Sequence, residues 1–348
     1  MATVTLIGLD IGKHSFHLVG HDHRGHPVLK KQFSRSRLIA FLAPFPACRI
    51  VMEACCGAHW LARKLVSFGR TVQLIAPQYI RPFVTGNKND FIDAQAICEA
   101  ASRPTMRYVA LKTPEQQALS ALHRYREARI AERVQINNQI HALLLEFGIA
   151  LPVGAGGIAQ LPAILMDEAN ALPPKARQVL QRQLDGYRLL KEQIAELDRE
   201  ITAEAKHDDV AQRLMSLPGI GPITASQLSA DAGNAKGYGN ARDFAASLGL
   251  VPRQYSTGGK AKLLGISKRG DKTLRRLLVQ CARVIMQNAP KWKSAIAQWT
   301  VALMQRRHSN VVACALANKL ARVVWALLAK GGEYRPQPCG LIEMQAAG

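Results

Sequence analysis

The chain has 348 residues, of which 48% are hydrophobic, and it carries a formal net charge of +21 at pH 7. This length is sufficient for two or three domains with at least one full-sized core, and the composition excludes a disordered protein. No apolar run reaches the roughly 18 residues of a membrane helix, and no basic segment precedes an apolar one at the N-terminus. We therefore expect neither a membrane helix nor a signal peptide.

The positive charge is concentrated in one part of the chain. Residues 210–330 contain 19 Lys and Arg against three acids, an excess of +16. A field of that sign attracts polyanions. Because the basic residues alternate with Gly, Ser and Thr rather than forming one helix face, nucleic acid is favoured over an anionic membrane as the partner. Seven scattered cysteines without a CxxC pair are typical of reduced thiols, so we expect a cytoplasmic protein.

The first third of the chain is predicted to alternate strands and helices. Strands are expected at residues 3–10, 14–20, 27–33, 48–53 and 71–76, and helices at 36–42, 58–69 and 90–101. An acid, Asp10, closes the first strand, and another, Glu53, closes the fourth. The order β-β-β-α-β-α-β-α resembles that of an RNase H or RuvC-like fold, whereas periodicity alone indicates only the α/β class.

Four carboxylates in this region are candidates for a metal site. Asp10 and Glu53 end buried strands, while Asp90 and Asp93 open a predicted helix with the i,i+3 spacing that puts both on one face. Asp90 and Asp93 alone could be an N-cap and a first-turn acid. Unpaired acids at buried strand ends are costly, however, and converging carboxylates repel one another unless a cation neutralises them. The set therefore predicts a site for a hard divalent ion, Mg²⁺ above all.

From Pro114 onward the pattern changes to long helices. Two apolar stripes flank a break that contains Pro152 and several glycines, which predicts an antiparallel helical hairpin. This hairpin could be a structural spacer or a dimerisation arm. Alternatively, Arg126, Arg129 and Arg133, which interrupt the first stripe, could contact phosphate. The stripes are Leu119, Leu122, Ile136, Ile140, Leu143 and Phe147, and then Leu180, Leu184, Tyr187, Leu190, Ile194, Leu197 and Ile201.

Residues 217–225 read Leu-Pro-Gly-Ile-Gly-Pro-Ile-Thr-Ala and resemble a helix-hairpin-helix motif. Pro218, Gly219 and Gly221 would let backbone N–H groups approach a phosphate closely at a helix N-terminus, where the helix dipole also attracts anions. Contacts of this kind give affinity without sequence readout. The alternative is an ordinary turn between two helices.

A loop rich in glycine and basic residues carries Ser256. This serine either donates a hydrogen bond to a phosphate or attacks one, and the residues alone leave both possibilities open. A hydroxyl attacks efficiently only when its proton is removed or the developing charge is stabilised. Four cations nearby could stabilise that charge: Arg253, Lys260, Lys268 and Arg269.

Together, the acid order, the Leu-Pro-Gly-Ile-Gly element and the Ser-Thr-Gly-Gly-Lys loop resemble one family, the DEDD-type transposases of bacterial insertion sequences, which are related to pilin-gene invertases. The likeness extends to about residue 335. It implies an N-terminal RuvC-like domain at residues 1–108 and an antiparallel coiled-coil arm at 109–206. A basic, mainly helical transposase domain would follow at 207–331, with a tail at 332–348.

The resemblance also implies a mechanism. Asp10, Glu53, Asp90 and Asp93 would be the DEDD acids that bind Mg²⁺ or Mn²⁺, and Ser256 would form a phosphoserine link to DNA. Thr257 occupies a position where a second serine is common in the family. A structured non-coding guide RNA would pair with donor and target DNA. The protein would act as an oligomer, in the family a tetramer, in which the acids of one protomer meet the serine of another.

Two other functions are compatible with the same residues. A RuvC-like junction resolvase would hydrolyse branched DNA with the four acids and form no covalent intermediate. A helix-hairpin-helix binding protein would use Ser256 only as a phosphate ligand, and its acids would be helix caps. These alternatives differ from strand transfer in whether DNA becomes covalently attached to the protein.

Overall fold

The computed structural model describes residues 3–87 and 89–335. Lys88, two residues before Asp90, lies outside the described residues, as does the predicted tail from residue 336 onward. The described chain is mixed α/β in its first third and almost entirely helical thereafter. The predicted boundaries between domains remain predictions.

The N-terminal unit is built on a six-stranded sheet. Its strands are β1 (Leu6–Ile11), β2 (Phe16–His21), β3 (Pro27–Phe33), β4 (Arg49–Glu53), β5 (Thr71–Ile75) and β6 (Tyr108–Val109). The spatial order is β3-β2-β1-β4-β5-β6, with β3, β2 and β1 antiparallel and β1, β4 and β5 parallel. This arrangement is compatible with the predicted RNase H-like domain. The five predicted strands are confirmed to within three residues at each end, and the two-residue β6 was not predicted.

Helices cover both faces of this sheet. They are α1 (Arg35–Leu42), α2 (Ala58–Val66), α3 (Pro77–Ile80), a 3₁₀ turn (Arg81–Phe83) and α4 (Asp90–Ala101). Side chains of α1 and α2 pack with Ile7, Leu9 and Met52 in one core, whereas α4 packs with Leu6 and Val51 in the other. Side chains alternate along a strand, so Gly8 and Asp10, which follow Leu6 at intervals of two residues, lie on the same face beneath α4. Glu53, two residues after Val51, lies on that face as well.

A close approach of α4 to β1 depends on Gly8. A Cβ atom added at Gly8 would lie 2.3 Å from the carbonyl oxygen of Ala94 and 2.6 Å from Sγ of Cys98. Any larger residue would therefore push the helix away from the strand. Asp10 is two residues beyond Gly8 and so faces the same helix.

Residues 114–207 form an antiparallel pair of long helices. The elements are α5 (Pro114–Leu145), α6 (Ala155–Ala159), α7 (Leu161–Met166) and α8 (Pro174–His207). A capping box on Thr113 and Gln116 starts α5. Six of the seven predicted apolar positions of α8 are buried: Leu180, Leu184, Leu190, Ile194, Leu197 and Ile201. The short helices α6 and α7 close a small core at the tip, and supercoiling of the pair remains a prediction.

The C-terminal unit packs around the last helix. Its elements are α9 (Asp209–Met215), α10 (Pro222–Ala232), α11 (Ala241–Ser247), β7 (Pro252–Gln254), β8 (Leu263–Ile266), α12 (Lys272–Asn288), a 3₁₀ turn (Ala289–Lys291), α13 (Ala295–Met304) and α14 (Ser309–Lys330). In the described part of the chain, α14 is the one helix long and apolar enough to cross a membrane, with a mean hydropathy of 1.7 over its most apolar window, half of which is buried. Nine of its side chains are buried, and they belong to the core of this unit, as expected of a central helix in a folded domain.

The three units meet at Asp231 of α10. Its carboxylate accepts hydrogen bonds from Lys112, which follows β6, and from Oγ of Ser120 in α5, the latter at 2.8 Å. Burial alone would raise the pKa of Asp231, but the hydrogen bond and charge of Lys112 hold that pKa below its usual value. The backbone N–H of Lys112 in turn donates to Nδ1 of His59 in α2 at 3.2 Å. One polar cluster therefore joins the sheet unit, the arm and the C-terminal unit.

Candidate metal centre and serine hairpin

The predicted acids converge on the sheet face that α4 covers. In the parallel pairing of β1 with β4, Leu9 lies opposite Met52, so the next residues, Asp10 and Glu53, are neighbours at the ends of their strands. Both are partly exposed. The strand ends therefore open at the edge of the core, where a cation can reach them.

Asp90 and Asp93 extend from the first turn of α4. The N-cap of this helix is Asn89, whose side chain accepts a hydrogen bond from the backbone N–H of Phe91 at 2.9 Å. The capping that could have explained Asp90 is thus performed by its neighbour. Acids in the first turn still gain from the helix dipole, but neither aspartate is needed to satisfy the helix end.

Burial and mutual repulsion perturb the two strand-end acids. Burial, followed by the charges of Asp93 and Asp90, raises the pKa of Asp10 to about 6. Burial and the charge of Asp93 also raise the pKa of Glu53. Asp10 therefore experiences the charges of the other three acids, and Glu53 experiences that of Asp93, which Arg81 opposes. Mutual repulsion of this kind is the electrostatic condition that a divalent cation relieves.

His17 also belongs to this cluster, although the sequence analysis did not single it out. Ligand atoms of Asp10, His17 and Asp90 all lie within 4.8 Å of one another. The antiparallel register of β1 and β2 places His17 directly opposite Asp10, and paired residues share a face. The short connection at Gly12 could have indicated this pairing. Glu53 and Asp93 lie outside this group of ligand atoms, so the structure brings two of the four predicted acids together with one imidazole. Carboxylate oxygens with an imidazole beside them are a donor set that suits a divalent ion.

Ser256 lies in a separate, exposed hairpin formed by β7 and β8. Its Oγ accepts hydrogen bonds from Nε2 of Gln254 at 2.9 Å and from the backbone N–H of Lys262 at 3.4 Å. The turn is closed by Thr257 and Lys260 around two glycines with φ of +56° and +76°, the combination required by a type I′ turn. The hairpin therefore presents Ser256 to solvent from an ordered backbone.

The segment after β8, which carries Lys268 and Arg269, is held by backbone hydrogen bonds to the C-terminal end of α11. The N–H of Lys268 donates to the carbonyl of Gly249 at 3.0 Å, and the N–H of Asp271 donates to that of Ser247 at 3.1 Å. A Cβ at Gly270 would lie 1.8 Å from the Ser247 carbonyl oxygen, so this contact requires glycine. Arg253, Lys260, Lys268 and Arg269 are all exposed, as the predicted contact with phosphate requires.

The Leu-Pro-Gly-Ile-Gly element connects α9 to α10. Gly219 has φ of +83°, and a Cβ there would lie 2.6 Å from Cγ1 of Ile285 on α12, so packing explains this glycine. Pro218 is half-buried beside it. Gly221 is exposed, has φ of −94° and caps α10 without a side chain, so no capping side chain accepts a hydrogen bond from the first turn of α10. A phosphate at this turn remains a prediction.

The arm arginines have different surroundings. Arg126 pairs with Asp198 of α8, and Arg129 pairs with Glu132, so both charges are already partly neutralised. Arg133 makes no ion pair with any described residue and lines a groove of about 550 Å³ together with Arg188, Lys191 and Tyr187. Contact of these arginines with phosphate remains a prediction, and Arg133 is the best placed of the three.

The sheet order and the converging acids define a class: a unit compatible with the RNase H-like domain of DEDD-type enzymes, joined to a basic helical unit. Comparison with known families agrees with this class. The DEDD_Tnp_IS110 transposase model matches residues 7–149, which include all four acids, and the model of the transposase IS116/IS110/IS902 family matches residues 211–297, which include Ser256.

Curated relatives cover nearly the whole chain. The transposase for insertion sequence element IS1328 of Yersinia enterocolitica is 54% identical over 331 residues, spanning 95% of this chain and 98% of the relative. A probable family 20 transposase of Pseudomonas aeruginosa is 46% identical over 95% of this chain and 98% of its own length. The transposase for IS1111A of Coxiella burnetii is 39% identical over 98% of this chain and 93% of its own length. The chain belongs to the IS110 family of insertion-sequence transposases.

Proposed function

We propose that this transposase is a site-specific DNA recombinase that cuts and rejoins strands with a divalent metal held by Asp10, Glu53, Asp90 and Asp93 and a nucleophile supplied by Ser256. The observation that carries the proposal is the convergence of the acids, with the pKa of Asp10 raised to about 6 by burial and by its acidic neighbours. A protein gains no folding stability from such an arrangement, so a bound cation is the simplest reason for it.

In this proposal the chain's own residues share the work between two surfaces. The carboxylates hold a cation, Mg²⁺ or Mn²⁺, which would supply Lewis acidity at the scissile phosphate. Gln254 donates to Oγ of Ser256 and so orients its lone pairs. The exposed cations Arg253 and Lys260 flank the serine and can stabilise negative charge on the phosphate as it is attacked.

The covalent step balances without an external energy source. Oγ of Ser256 loses its proton and bonds to phosphorus, while one bond from phosphorus to a sugar oxygen breaks and that oxygen takes up a proton. The phosphodiester count is unchanged, since a phosphoserine ester replaces the sugar ester. A second sugar hydroxyl can then displace the serine and rejoin the strand without ATP.

The guide RNA and the oligomer belong to the proposal through the family resemblance. Two basic surfaces could bind nucleic acid, which is more than one duplex requires. They are the C-terminal unit, where residues 210–330 carry a net charge of +16, and the groove of the arm that Arg133, Arg188 and Lys191 line. Ser256 makes its hydrogen bonds within its own hairpin. By analogy with the family, we propose that Ser256 meets the acids of a neighbouring protomer in an oligomer, a tetramer.

The decisive experiment is capture of the covalent intermediate. Purified protein, Mg²⁺, donor DNA and the RNA transcribed from the element's flank are incubated, denatured in detergent and digested with trypsin. Cleavage after Arg253 and Lys260 releases the peptide 254–260, which contains both Ser256 and Thr257, and fragmentation assigns the nucleotide to one of them. We expect the adduct on Ser256, and its loss by about 10³-fold or more in Ser256→Ala and in Asp93→Asn.

Matched controls separate the alternatives. Thr257→Ala is expected to retain the adduct on Ser256, and Asp93→Asn to retain DNA binding. Cleavage by Ser256→Ala at the wild-type rate would contradict the nucleophile and favour a hydrolytic resolvase. Binding without any Mg²⁺-dependent change in the DNA would favour a non-enzymatic binding protein, and an adduct formed equally well without RNA would contradict guidance.

A further inference from the structure

His17 is a buried histidine directed at the metal centre. It lies on β2 opposite Asp10, on the face that α4 covers, and only 7% of its surface is exposed. The ring of Phe91 packs edge-on against the imidazole, with the ring centroids 4.8 Å apart and the planes at 77°. The imidazole is therefore held in one orientation by the strand beneath it and the helix above it.

The Nδ1 atom of this imidazole makes no hydrogen bond with any described residue. It lies 3.4 Å from Oδ2 of Asp90, so it points into the group of acids rather than toward backbone. A buried polar atom without a hydrogen bond costs free energy, and native proteins retain few of them. A cation between Nδ1 and the carboxylates would provide the missing partner.

We propose that Nδ1 of His17 is a ligand of the ion that Asp10 and Asp90 bind, and that this nitrogen directs the site toward Mn²⁺ over Mg²⁺. The inference rests on the proposed function only in requiring a divalent ion at these acids. Ligand atoms of the three residues lie within 4.8 Å of one another, whereas ligands of one octahedral ion are roughly 3–4 Å apart. Small side-chain rotations therefore bring all three to one ion.

The selectivity follows from the donor set. Mg²⁺ binds oxygen ligands and keeps several waters, whereas first-row transition ions gain more from an imidazole nitrogen. Four carboxylates without His17 would be a site of oxygen ligands alone. Replacing one oxygen ligand by nitrogen strengthens Mn²⁺ binding relative to Mg²⁺, although Mg²⁺ can still occupy the site when it is abundant.

The test is pulsed electron paramagnetic resonance of Mn²⁺ bound to the untagged, full-length protein without DNA. A directly coordinated imidazole gives a ¹⁴N coupling that changes in a defined way when the protein is made with ¹⁵N-histidine. We expect this coupling in the wild type, its loss in His17→Gln, and no Mn²⁺ binding at the site in Asp10→Asn. Mn²⁺ affinity should fall by about tenfold or more in His17→Gln, with Mg²⁺ affinity, measured by competition, changing several-fold less.

His21→Gln is the matched control. His21 is also on β2, is 5% exposed, and has a ring nitrogen, Nε2, without a hydrogen bond to any described residue, so its replacement tests the loss of a buried histidine as such. It should keep both the coupling and the Mn²⁺ affinity. If His17→Gln fails to fold, the isotope change in the wild type still decides whether histidine is a ligand.

The outcomes separate this inference from the proposed function. Mn²⁺ that binds at the acids without a histidine coupling overturns the role of His17 and leaves the metal site intact. A coupling that survives in His17→Gln also overturns it. The absence of any Mn²⁺ binding that depends on Asp10 overturns the inference together with the proposed metal site, whereas a histidine coupling in a protein that forms no DNA adduct supports the inference and contradicts the proposed function.

Discussion

Asp10 is costly to the folded protein in the absence of a cation. Burial and the charges of Asp93 and Asp90 raise its pKa from 3.8 to about 6. Between these two values the folded protein binds more protons than the unfolded chain, so the free energy of unfolding decreases as the pH rises through this window. Above pH 6 the cost is fully present, and a bound cation or the loss of the charge removes it.

Replacing Asp10 by asparagine should therefore stabilise the metal-free protein while abolishing cleavage. We expect the midpoint of thermal unfolding, measured with a chelator at pH 7.5, to rise in Asp10→Asn on the order of a few degrees. The difference should shrink at pH 4.5, where Asp10 of the folded wild type is mostly protonated. If the midpoint of Asp10→Asn were lower than that of the wild type at pH 7.5, the Asp10 carboxylate would stabilise the fold, which contradicts this prediction.

At this scale the sequence predicted the acids but not the histidine. Asp10 and Glu53 could be recognised because charged residues rarely end buried strands without a function. His17 was missed, because a histidine in an apolar strand is ambiguous until the register of β1 against β2 is considered, and the short connection at Gly12 was the one local signal of that register. Likewise, the pairing of Arg126 with Asp198 joins residues 72 positions apart, which no local pattern reveals.

Among the elements, the turn between α9 and α10 contains two glycines with different roles. Gly219 has a positive φ and contacts α12, whereas Gly221 has an ordinary φ and no heavy atom within 4 Å of a Cβ built on it. Packing within the protein explains the glycine at position 219. Packing does not explain the glycine at position 221, and close approach of a phosphate would explain it.

Alanine at each glycine should separate packing from phosphate binding. Gly219→Ala is expected to lower the free energy of unfolding by about 1–3 kcal/mol, because the new methyl group meets Ile285 and the positive φ is strained. Gly221→Ala should change stability by less than about 0.5 kcal/mol and weaken DNA binding severalfold in a fluorescence-anisotropy titration. Wild-type affinity in Gly221→Ala would favour an ordinary turn over a helix-hairpin-helix contact.

Helices and strands with a clear hydrophobic periodicity were predicted well, whereas elements without such a periodicity were not. The strands and the first helices follow from alternation and from apolar spacing. The two-residue β6 and the four-residue α3 are too short to carry a period. The helices α6 and α7 fall in the break between the two long helices, where Pro152 and glycines predict only a turn.

For the whole molecule, the cluster around Asp231 couples the units that carry the acids and the serine. Lys112 and Asp231 are both largely buried, with side chains 14% and 17% exposed. Removing one member of such a pair leaves the other charge without its partner, which costs far more than removing both. No local sequence pattern indicates this cluster, because Lys112 and Asp231 are 119 positions apart.

Asp231→Ala should therefore destabilise the protein by about 3 kcal/mol, whereas the double variant Lys112→Met with Asp231→Leu should recover most of that loss. Denaturant unfolding of the metal-free protein measures both. Limited proteolysis near residue 112 should accelerate in the single variant. Equal stability of the single variant and the wild type would show that Lys112 and Asp231 do not hold the units together.

The central claim is that the acids of one chain and Ser256 of another form one active site. It is tested most directly by co-expressing Asp10→Asn and Ser256→Ala chains with different tags, purifying the mixed oligomer and measuring the covalent DNA adduct. Each variant alone should be inactive. The claim predicts that the mixed oligomer regains the adduct, on the Asp10→Asn chain only, and a mixed oligomer that binds DNA but forms no adduct would contradict it.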